Sequence, residues 1–337
     1  MRWLLTLVCV SCFACSGYSQ NITVGGRVTD QSGEPIPFAP IKVAPLNLNL
    51  LANDLGFFST TVKGGEPLSI AFSKIGYATK TYLTGPEDVF LDVSLEPDFV
   101  EPLEGEAEDA DELIRQMIAN RKALVSRTDS FSVQVYTKGS QKLVGAPEKF
   151  LNKKVAPVLK LDSNRTGILF QSETVSRLLQ ESLNDRKEIM LSSKPSGERE
   201  GISFNGALDL DVSFYNNALQ WKPFGNRWFV SPIADNAFRY YRYSLIGKQV
   251  IDGKTIYKVQ VDPKRRYDPV FKGFIYLVAG DWQLYAVDLM LTEGARINFV
   301  DSVRISQRFS EVEPDIWRPE SVTIETKGDV LGFQFAG

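Results

Sequence analysis

From Asn21 onward the chain alternates apolar and polar residues over short runs that end in turn-forming residues. Ile22, Val24 and Val28 alternate with Thr23, Gly25 and Arg27, the two-residue period of a strand with one buried face. "TDQSGEP" then supplies Asp, Ser and Gly, residues that accept turn dihedrals or bond their own backbone. Pro35 and Pro37 have no N–H to give a ladder, which places this part of the next strand at an edge or a bulge. "LSIAF" sets Leu68, Ile70 and Phe72 on one face, and "VFLDVSL" does the same with Val89, Leu91, Val93 and Leu95. The pattern over residues 21–97 is therefore a β-sandwich.

The pattern then changes twice. Residues 98–108 lie in "EPDFVEPLEGEAED", a carboxylate-rich run with too little apolar surface to pack, and read as a solvated linker. "DADELIRQMIANRKALV" places Ile114, Met117, Ile118 and Arg121 at helical spacing, with acids in the first turn and Arg121 and Lys122 later, as the helix dipole favours. Strands resume with Phe131, Val133 and Val135 alternating against Ser132 and Gln134. Residues 173–190, "ETVSRLLQESLNDRKEIM", read as a second helix. Asp252 and Gly253 between two apolar runs mark a hairpin, and Gly280 and Asp281 mark another. Beyond them Ile297, Phe299, Val303 and Ile305 fall on one side of a further strand. The expected fold over 109–337 is a helix followed by a curved antiparallel meander. The final run alternates Val330, Gly332 and Gln334 with Leu331, Phe333 and Phe335 and stops without a polar tail, which suggests the front of a longer chain.

Composition adds the compartment. "MRWLLTLVCVSCFACSGYSQ" has Arg2, an apolar run and then small residues, the layout of a secretory signal over residues 1–20 with cleavage near Ser19 or Gln20. A lipoprotein site at Cys12 or Cys15 lacks the Leu three residues before it. All three cysteines lie in this leader, so the mature chain has no thiol for a disulfide or a thiolate metal site. The net charge of -3, with dispersed cations, gives no field for nucleic acid.

Composition also removes chemistry. The chain has no histidine, so an ordinary zinc hydrolase and a Ser or Cys triad cannot be assembled. Asp209 and Asp211 could in principle do acid and base work, but no positioned partner accompanies them. The acidic linker lacks the ordered spacing of a calcium loop, and the loop "PKRRYDP" offers Lys264, Arg265 and Arg266 to solvent or to anionic lipid. Asn21-Ile-Thr and Asn164-Arg-Thr match a glycosylation pattern that also arises by chance. No cofactor is expected.

The candidate contact surface is the aromatic stretch 214–243, with Trp221, Phe224, Trp228, Phe229, Tyr240, Tyr241 and Tyr243. These side chains either line a groove for a lipid, a glycan or a partner protein, or plug the open end of the curved sheet.

The first module resembles the carboxypeptidase-regulatory-like domain, a transthyretin-type sandwich. "GRVTDQSGEPIPFAPIKV" carries Gly26, Asp30, Gly33, Pro35, Pro37, Phe38 and Ala39 in that family's order; "ANDLGFFSTTV" supplies Gly56 and Phe58; "SKIGYATKTY" supplies Gly76 and Tyr77; and "FLDVSLEP" closes the match. Ala52 stands where Thr is usual. The resemblance implies seven strands and an accessory role without peptidase activity. In Bacteroidetes-type surface proteins such a module opens either a TonB-dependent receptor or a protein with a domain of unknown function. "DADELIRQMIANRKAL", "FSVQVYTKGSQKL" and "YRYSLIGKQVIDGKTIYKVQVDPKRRYDPVFKGFIYL" resemble the second kind, whose longer members end in an outer-membrane barrel. The expectation is thus a non-enzymatic exported protein of the periplasm or outer membrane of a Gram-negative bacterium, acting in envelope assembly, adhesion or transport. Its membrane attachment would lie beyond Gly337, and its partner would be an envelope protein, a glycan or a lipid. A half-barrel that carries lipid or lipoprotein is the alternative, and the N-terminal region of a TonB-dependent receptor is a further one.

Overall fold

The computed structural model describes residues 21–46, 48–53, 55–85, 87–98, 109–126, 130–182, 185–197, 206–220, 227–251, 253–292, 297 and 300–337. The chain forms two compact units, Met1–Asp98 and Phe99–Gly337. It is mainly β, as the alternation predicts.

In the first unit β1 (Asn21–Thr29), β2 (Pro40–Ala44), β3 (Leu48–Leu51), β4 (Phe57–Lys63), β5 (Leu68–Lys74), β6 (Tyr77–Thr84) and β7 (Val89–Ser94) make two sheets. One has the order β4-β1-β7, with β1 antiparallel to β4 and parallel to β7; the other runs β3-β2-β5-β6. Val24 and Val28 of β1 meet Ile41, Val43, Ile70 and Phe72 of the second sheet in one core. Polar residues between them face solvent, so the two-residue period directly builds a seven-stranded sandwich.

The family-like motif residues sit at turns and core contacts of this sandwich. The Asp30 carboxylate accepts hydrogen bonds from the Ser32 N–H (2.8 Å), the Ser32 hydroxyl (2.6 Å) and the Glu34 N–H (3.0 Å), closing the turn in which Gly33 has φ +84°. The Ser32 hydroxyl, ahead of the backbone donors, holds that carboxyl below its ordinary pKa. Gly26 is required by close approach: a Cβ there would lie 2.1 Å from the Leu91 carbonyl oxygen of β7. Gly56 combines φ +78° with a Cβ position 2.3 Å from the Val28 oxygen. Ala39 and Phe58 are buried, Pro35 bridges Thr29, the Pro37 carbonyl accepts from Lys74 (3.0 Å), Phe38 takes φ +54°, and Gly76 (φ +89°) turns the chain into Tyr77.

The second unit opens with α1 (Ala110–Ser126) and β8 (Phe131–Gly145). A small hairpin, β9 (Lys149–Phe150) with β10 (Lys153–Lys154), and the one-turn α2 (Val155–Val158) lead to β11 (Gly167–Ser182) and β12 (Asp185–Gly197). The short pair β13 (Ala218–Gln220) and β14 (Trp228–Val230) precedes the meander of β15 (Tyr241–Ile251), β16 (Lys254–Pro263), β17 (Phe271–Val278), β18 (Gln283–Leu291), β19 (Ser302–Glu313), β20 (Ile316–Val330) and β21 (Phe333–Ala336). Ten strands form one antiparallel sheet in the order β12-β11-β8-β21-β20-β19-β18-β17-β16-β15. Bulges between Leu245 and Gly247, Tyr276 and Leu277, and Arg308 and Phe309 add twist and bend to these strands.

Three expectations are corrected. Ile297 is not on the strand of Val303 and Ile305: it precedes β19, and its carbonyl accepts from the Val300 N–H (3.2 Å). Residues 173–190 are not a helix but most of the β11–β12 hairpin. The buried positions of β11 do alternate, but after Phe170 they are Ser172, Thr174, Ser176 and Gln180, so over 173–190 hydrophobicity does not reveal the period. The terminal run is not one strand: Leu331 (φ +53°) and Gly332 (φ +85°) form a two-residue turn that folds β21 back on β20 and against β8. The leader 1–20, residues 99–108 of the acidic linker, Asp252 and Phe299 lie outside the described residues; Gly253 (φ +78°) and Gly280 (φ +82°) turn their hairpins as predicted.

Candidate functional site

One face of the ten-stranded sheet carries α1, and its two halves differ. Over β15 to β19 that face is filled by the chain itself. Ile114 and Met117 of α1 pack with Phe214, Phe229, Ile233, Tyr241, Phe271, Val287 and Ile305. Phe214 and Phe271 meet edge to face at 5.3 Å, and burial of each such side chain contributes about 1.5–3 kcal/mol. The tyrosine hydroxyls are used internally: Tyr241 donates to the Val230 carbonyl and accepts from the Phe271 N–H (3.2 Å), and Tyr243 donates to the Pro232 carbonyl (2.5 Å). Burial raises the pKa of Tyr215, Tyr241 and Tyr243, so all three stay neutral.

A buried cation fastens α1 to this core. Arg121 is 3% exposed and donates to the Tyr215 carbonyl (2.9 Å), to Asn217 Oδ1 (2.7 Å) and to Asp235 Oδ1 (2.7 Å). The Asn217 side chain, then the Arg121 and Lys122 charges, hold the Asp235 carboxyl below its ordinary pKa. The sequence signal was a cation on the apolar stripe of a helix, which the amphipathic reading absorbed as part of the pattern.

The other half of the same face is a mixed wall. Directly paired residues of antiparallel strands share a face, so Leu178, Ser176 and Thr174 of β11 stand beside Val133, Val135 and Thr137 of β8. Glu188 and Arg186 of β12 pair with Leu178 and Gln180 and so share that face. Glu188 accepts from the Ala207 (2.8 Å) and Leu208 (3.1 Å) N–H groups, and Arg186 is ion-paired with Asp211. Burial opposes charge on Glu188, but the donors around it, the Ala207 and Leu208 N–H groups among them, outweigh it and keep its pKa low. From Asp211 the chain enters the core through Val212 and Phe214, so this is the helix-bearing face. On β20, Val322 and Ile324 pair with Gln307 and the core residue Ile305 and complete the wall.

This wall alternates hydrocarbon with hydrogen-bonding groups. Val133 is 43% exposed, and Val135, Leu178, Val322 and Ile324 are half-buried. Thr137 Oγ1, Gln180 Nε2 and Gln307 Oε1 are buried without a hydrogen-bond partner among the described residues. Buried polar atoms ordinarily find a protein group, a water or a ligand. Beside the wall, β21 pairs with β8 only from Lys142 to Gly145. From Phe131 to Gln141 the β8 edge toward β20 has no strand partner among the described residues, and Arg318 of β20 reaches across to the Phe131 ring at 5.0 Å. The arrangement suits an amphiphile whose chain lies on the valine, leucine and isoleucine side chains while its polar linkage meets the hydroxyl and amide groups.

The residues singled out from sequence are spread. Trp221 and Phe224 lie outside the described residues. Phe229, Tyr241 and Tyr243 are 2%, 0% and 9% exposed and belong to the core, and Tyr240 packs against it half-buried. Their aromatic surface is spent on α1 and the sheet, which removes them from a contact surface; Trp228, at 57% exposure, is open to solvent and lies apart from the mixed wall. Asp209 and Asp211 do not converge: Asp209 accepts from the Gly206 N–H (3.1 Å), whereas Asp211 pairs with Arg186. In "PKRRYDP", Lys264 donates to the Phe238 carbonyl (2.6 Å) and Arg266 lies over the Tyr267 ring at 5.9 Å. Sequence reading missed the wall because Thr137, Ser176 and Gln180 carry no motif.

Among solved structures, the chain is similar to a putative outer membrane lipoprotein-sorting protein domain from Vibrio parahaemolyticus (9% identity, covering 68% of this chain and 90% of that one, TM-score 0.24). It is also similar to a LolA superfamily protein from Nitrosomonas europaea (13%, 68% and 90%, TM-score 0.22) and to a DUF1329 family protein from Desulfovibrio piger (12%, 68% and 90%, TM-score 0.25). Likenesses this distant carry no functional argument. No curated protein matches the chain. A family model does match, over residues 113–337, most of α1 and the whole ten-stranded sheet, and the chain belongs to that family, the family of unknown function DUF5686.

Proposed function

We propose that the second unit is a non-catalytic binding domain that holds a lipid or the acyl part of a lipidated protein against the mixed wall of β8, β11 and β20. The observation that carries this reading is the division of one sheet face. Half of it is closed by α1 and its aromatics, and half keeps half-exposed aliphatic side chains beside Thr137, Gln180 and Gln307, whose buried polar atoms have no partner among the described residues. Water alone would satisfy the polar atoms but not cover the aliphatic ones, and an amphiphile does both. The leader over residues 1–20 supports export and so an envelope ligand. The close strand approach at Gly26 and the Asp30, Gly33 and Gly56 turns support a carboxypeptidase-regulatory-like sandwich in front, in an accessory role. The lack of imidazole and mature thiol supports binding over bond making.

Gentle purification followed by native mass spectrometry tests this. The protein should carry adducts in the phospholipid or acylated-peptide mass range, and Val133→Asp, at a position exposed enough to tolerate the charge, should lose them. Adduct-free wild-type protein that also fails to take up added phospholipid would overturn the proposal.

A further inference from the structure

The sheet ends, on the side of the β8–β11 connection, in apolar tips backed by cations. β9 and β10 pair Phe150 with Lys153 and Lys149 with Lys154, leaving Leu151 (φ +49°) and Asn152 (φ +63°) as a two-residue turn. β20 and β21 pair Val330 with Phe333, leaving Leu331 (φ +53°) and Gly332 (φ +85°) in the same kind of turn. Such turns favour Asn, Asp or Gly at both central positions, because a side chain at positive φ crowds the backbone. Leu occupies the first position in both. Leu151 is 81% exposed and Leu331 74%, so neither is held there by packing. Val158 (67%) and Ile168 (61%) also present side chains on this connection.

The two turns are held together. Phe150 and Phe333 stack edge to face at 5.3 Å, Gly332 lies against Pro147, and Leu143, Ala146 and Val155 pack with Leu161, Phe333 and Phe335 beneath them. The exposed leucines are therefore borne on two turns that pack against each other and not on separate loops.

Charge collects at the same place. Between Lys142 and Ile168 stand Lys142, Lys149, Lys153, Lys154, Lys160 and Arg165 against Glu148 and Asp162, in a chain whose overall charge is -3. Asp162 is occupied by its own turn, accepting from the Asn164 and Thr166 N–H groups (2.9 and 2.8 Å) and the Thr166 hydroxyl (2.7 Å). Lys149, Lys153, Lys154, Lys160 and Arg165 are exposed and have no carboxylate partner among the described residues.

We infer that this end, with Leu151 and Leu331 leading and the lysines behind, docks on the surface of an anionic phospholipid bilayer. Apolar tips that enter the headgroup region while flanking ammonium groups meet lipid phosphates are the chemistry of interfacial attachment. An acidic protein would use the same cations but gives no reason for leucine at two positions whose backbone disfavours it. The inference does not depend on the ligand of the mixed wall.

Vesicle flotation of the whole chain tests it, using phosphatidylcholine vesicles with and without about a quarter phosphatidylglycerol. Wild type should float with the anionic vesicles. Leu151→Asn with Leu331→Asn suits both turns and keeps the melting temperature, and should reduce binding roughly tenfold or more. Lys149→Glu, Lys153→Glu and Lys154→Glu together should do the same, whereas Leu83→Asp on the first unit should change nothing. Absence of wild-type binding to anionic vesicles would overturn the inference. So would leucine variants that bind as wild type while the charge reversals do not, a result that would indicate a soluble polyanion or acidic protein instead.

Discussion

Replacing Arg121 by Met should be among the most damaging single changes in the second unit outside its aliphatic core. Met occupies much of the volume of the arginine stem, so little is lost in packing, but the guanidinium and its three acceptors are lost as a set. A hydrogen bond to a buried charged group is worth about 1.5–3 kcal/mol, which as a simple sum would exceed 4 kcal/mol. Two features reduce this. Asp235 keeps 45% of its side chain in water, so its pair with Arg121 is screened, and Asn217 continues to bind Asp235 through its own amide (3.0 Å) and through the Asp235 N–H (2.9 Å). The unreplaced loss is the charged donor to the partly buried Tyr215 carbonyl, together with part of the Asn217 bond. The expected cost is about 2–3 kcal/mol, read as a lower midpoint in urea unfolding with an unchanged slope. Asp235→Asn, which leaves Arg121 its other two acceptors, should cost less than about 1 kcal/mol. The Asp235 pKa is lowered on folding, so its contribution is fully present above the ordinary carboxylate value and is lost as pH falls through the depressed one. In Arg121→Met the acid-side slope of stability, below about pH 4, should therefore flatten. A loss of less than about 1 kcal/mol, or an unchanged acid limb, would refute the clamp.

Three further outcomes follow from the same contacts. Tyr241→Phe should destabilise by about 1–3 kcal/mol, since it strands the Val230 carbonyl and the Phe271 N–H, whereas Trp228→Ala should stay within about 0.5 kcal/mol; thermal melts of the two compare them directly. Gly56→Ala should lower the stability of the first unit by more than about 2 kcal/mol, because both φ and space oppose a Cβ, while Gly33→Ala, with nothing within 4 Å, should show only the conformational term. Removing bound lipid with detergent should lower the melting temperature of the second unit if the wall is occupied during purification, and adding phospholipid back should restore it.

The parts of the fold legible in the sequence are those where burial and hydrophobicity coincide. Val24, Val28, Ile70 and Phe72 are apolar, alternating and buried, and α1 shows Ile114 and Met117 one turn apart on the face that packs. The reading failed where they separate. β11 buries Ser172, Thr174, Ser176 and Gln180, so its period is written in small polar residues, while Leu178 and Leu179 next to each other and the charges around them imitate an amphipathic helix. The same inversion hid the candidate site, since a wall of Thr137, Val135, Ser176 and Val322 has no motif and becomes one only when pairing sets the strands side by side. The aromatic cluster was visible, but an aromatic in sequence does not say which way it faces. The packing of α1 decided that for Phe229, Tyr241 and Tyr243. Leucine at a turn position was visible too, in "FLNK" and "VLGF", and gained meaning only when both turns met at one end.

The most direct test of the binding account is photocrosslinking in the native envelope. With a benzophenone amino acid at Val133 or Val322 on the wall, or at Trp228 as an exposed control, irradiation and mass analysis should find lipid or an acylated peptide attached at the two wall positions and not at the control. Wall positions that give no adduct or crosslink only to the chain itself, or adducts equally frequent at Trp228, would contradict it.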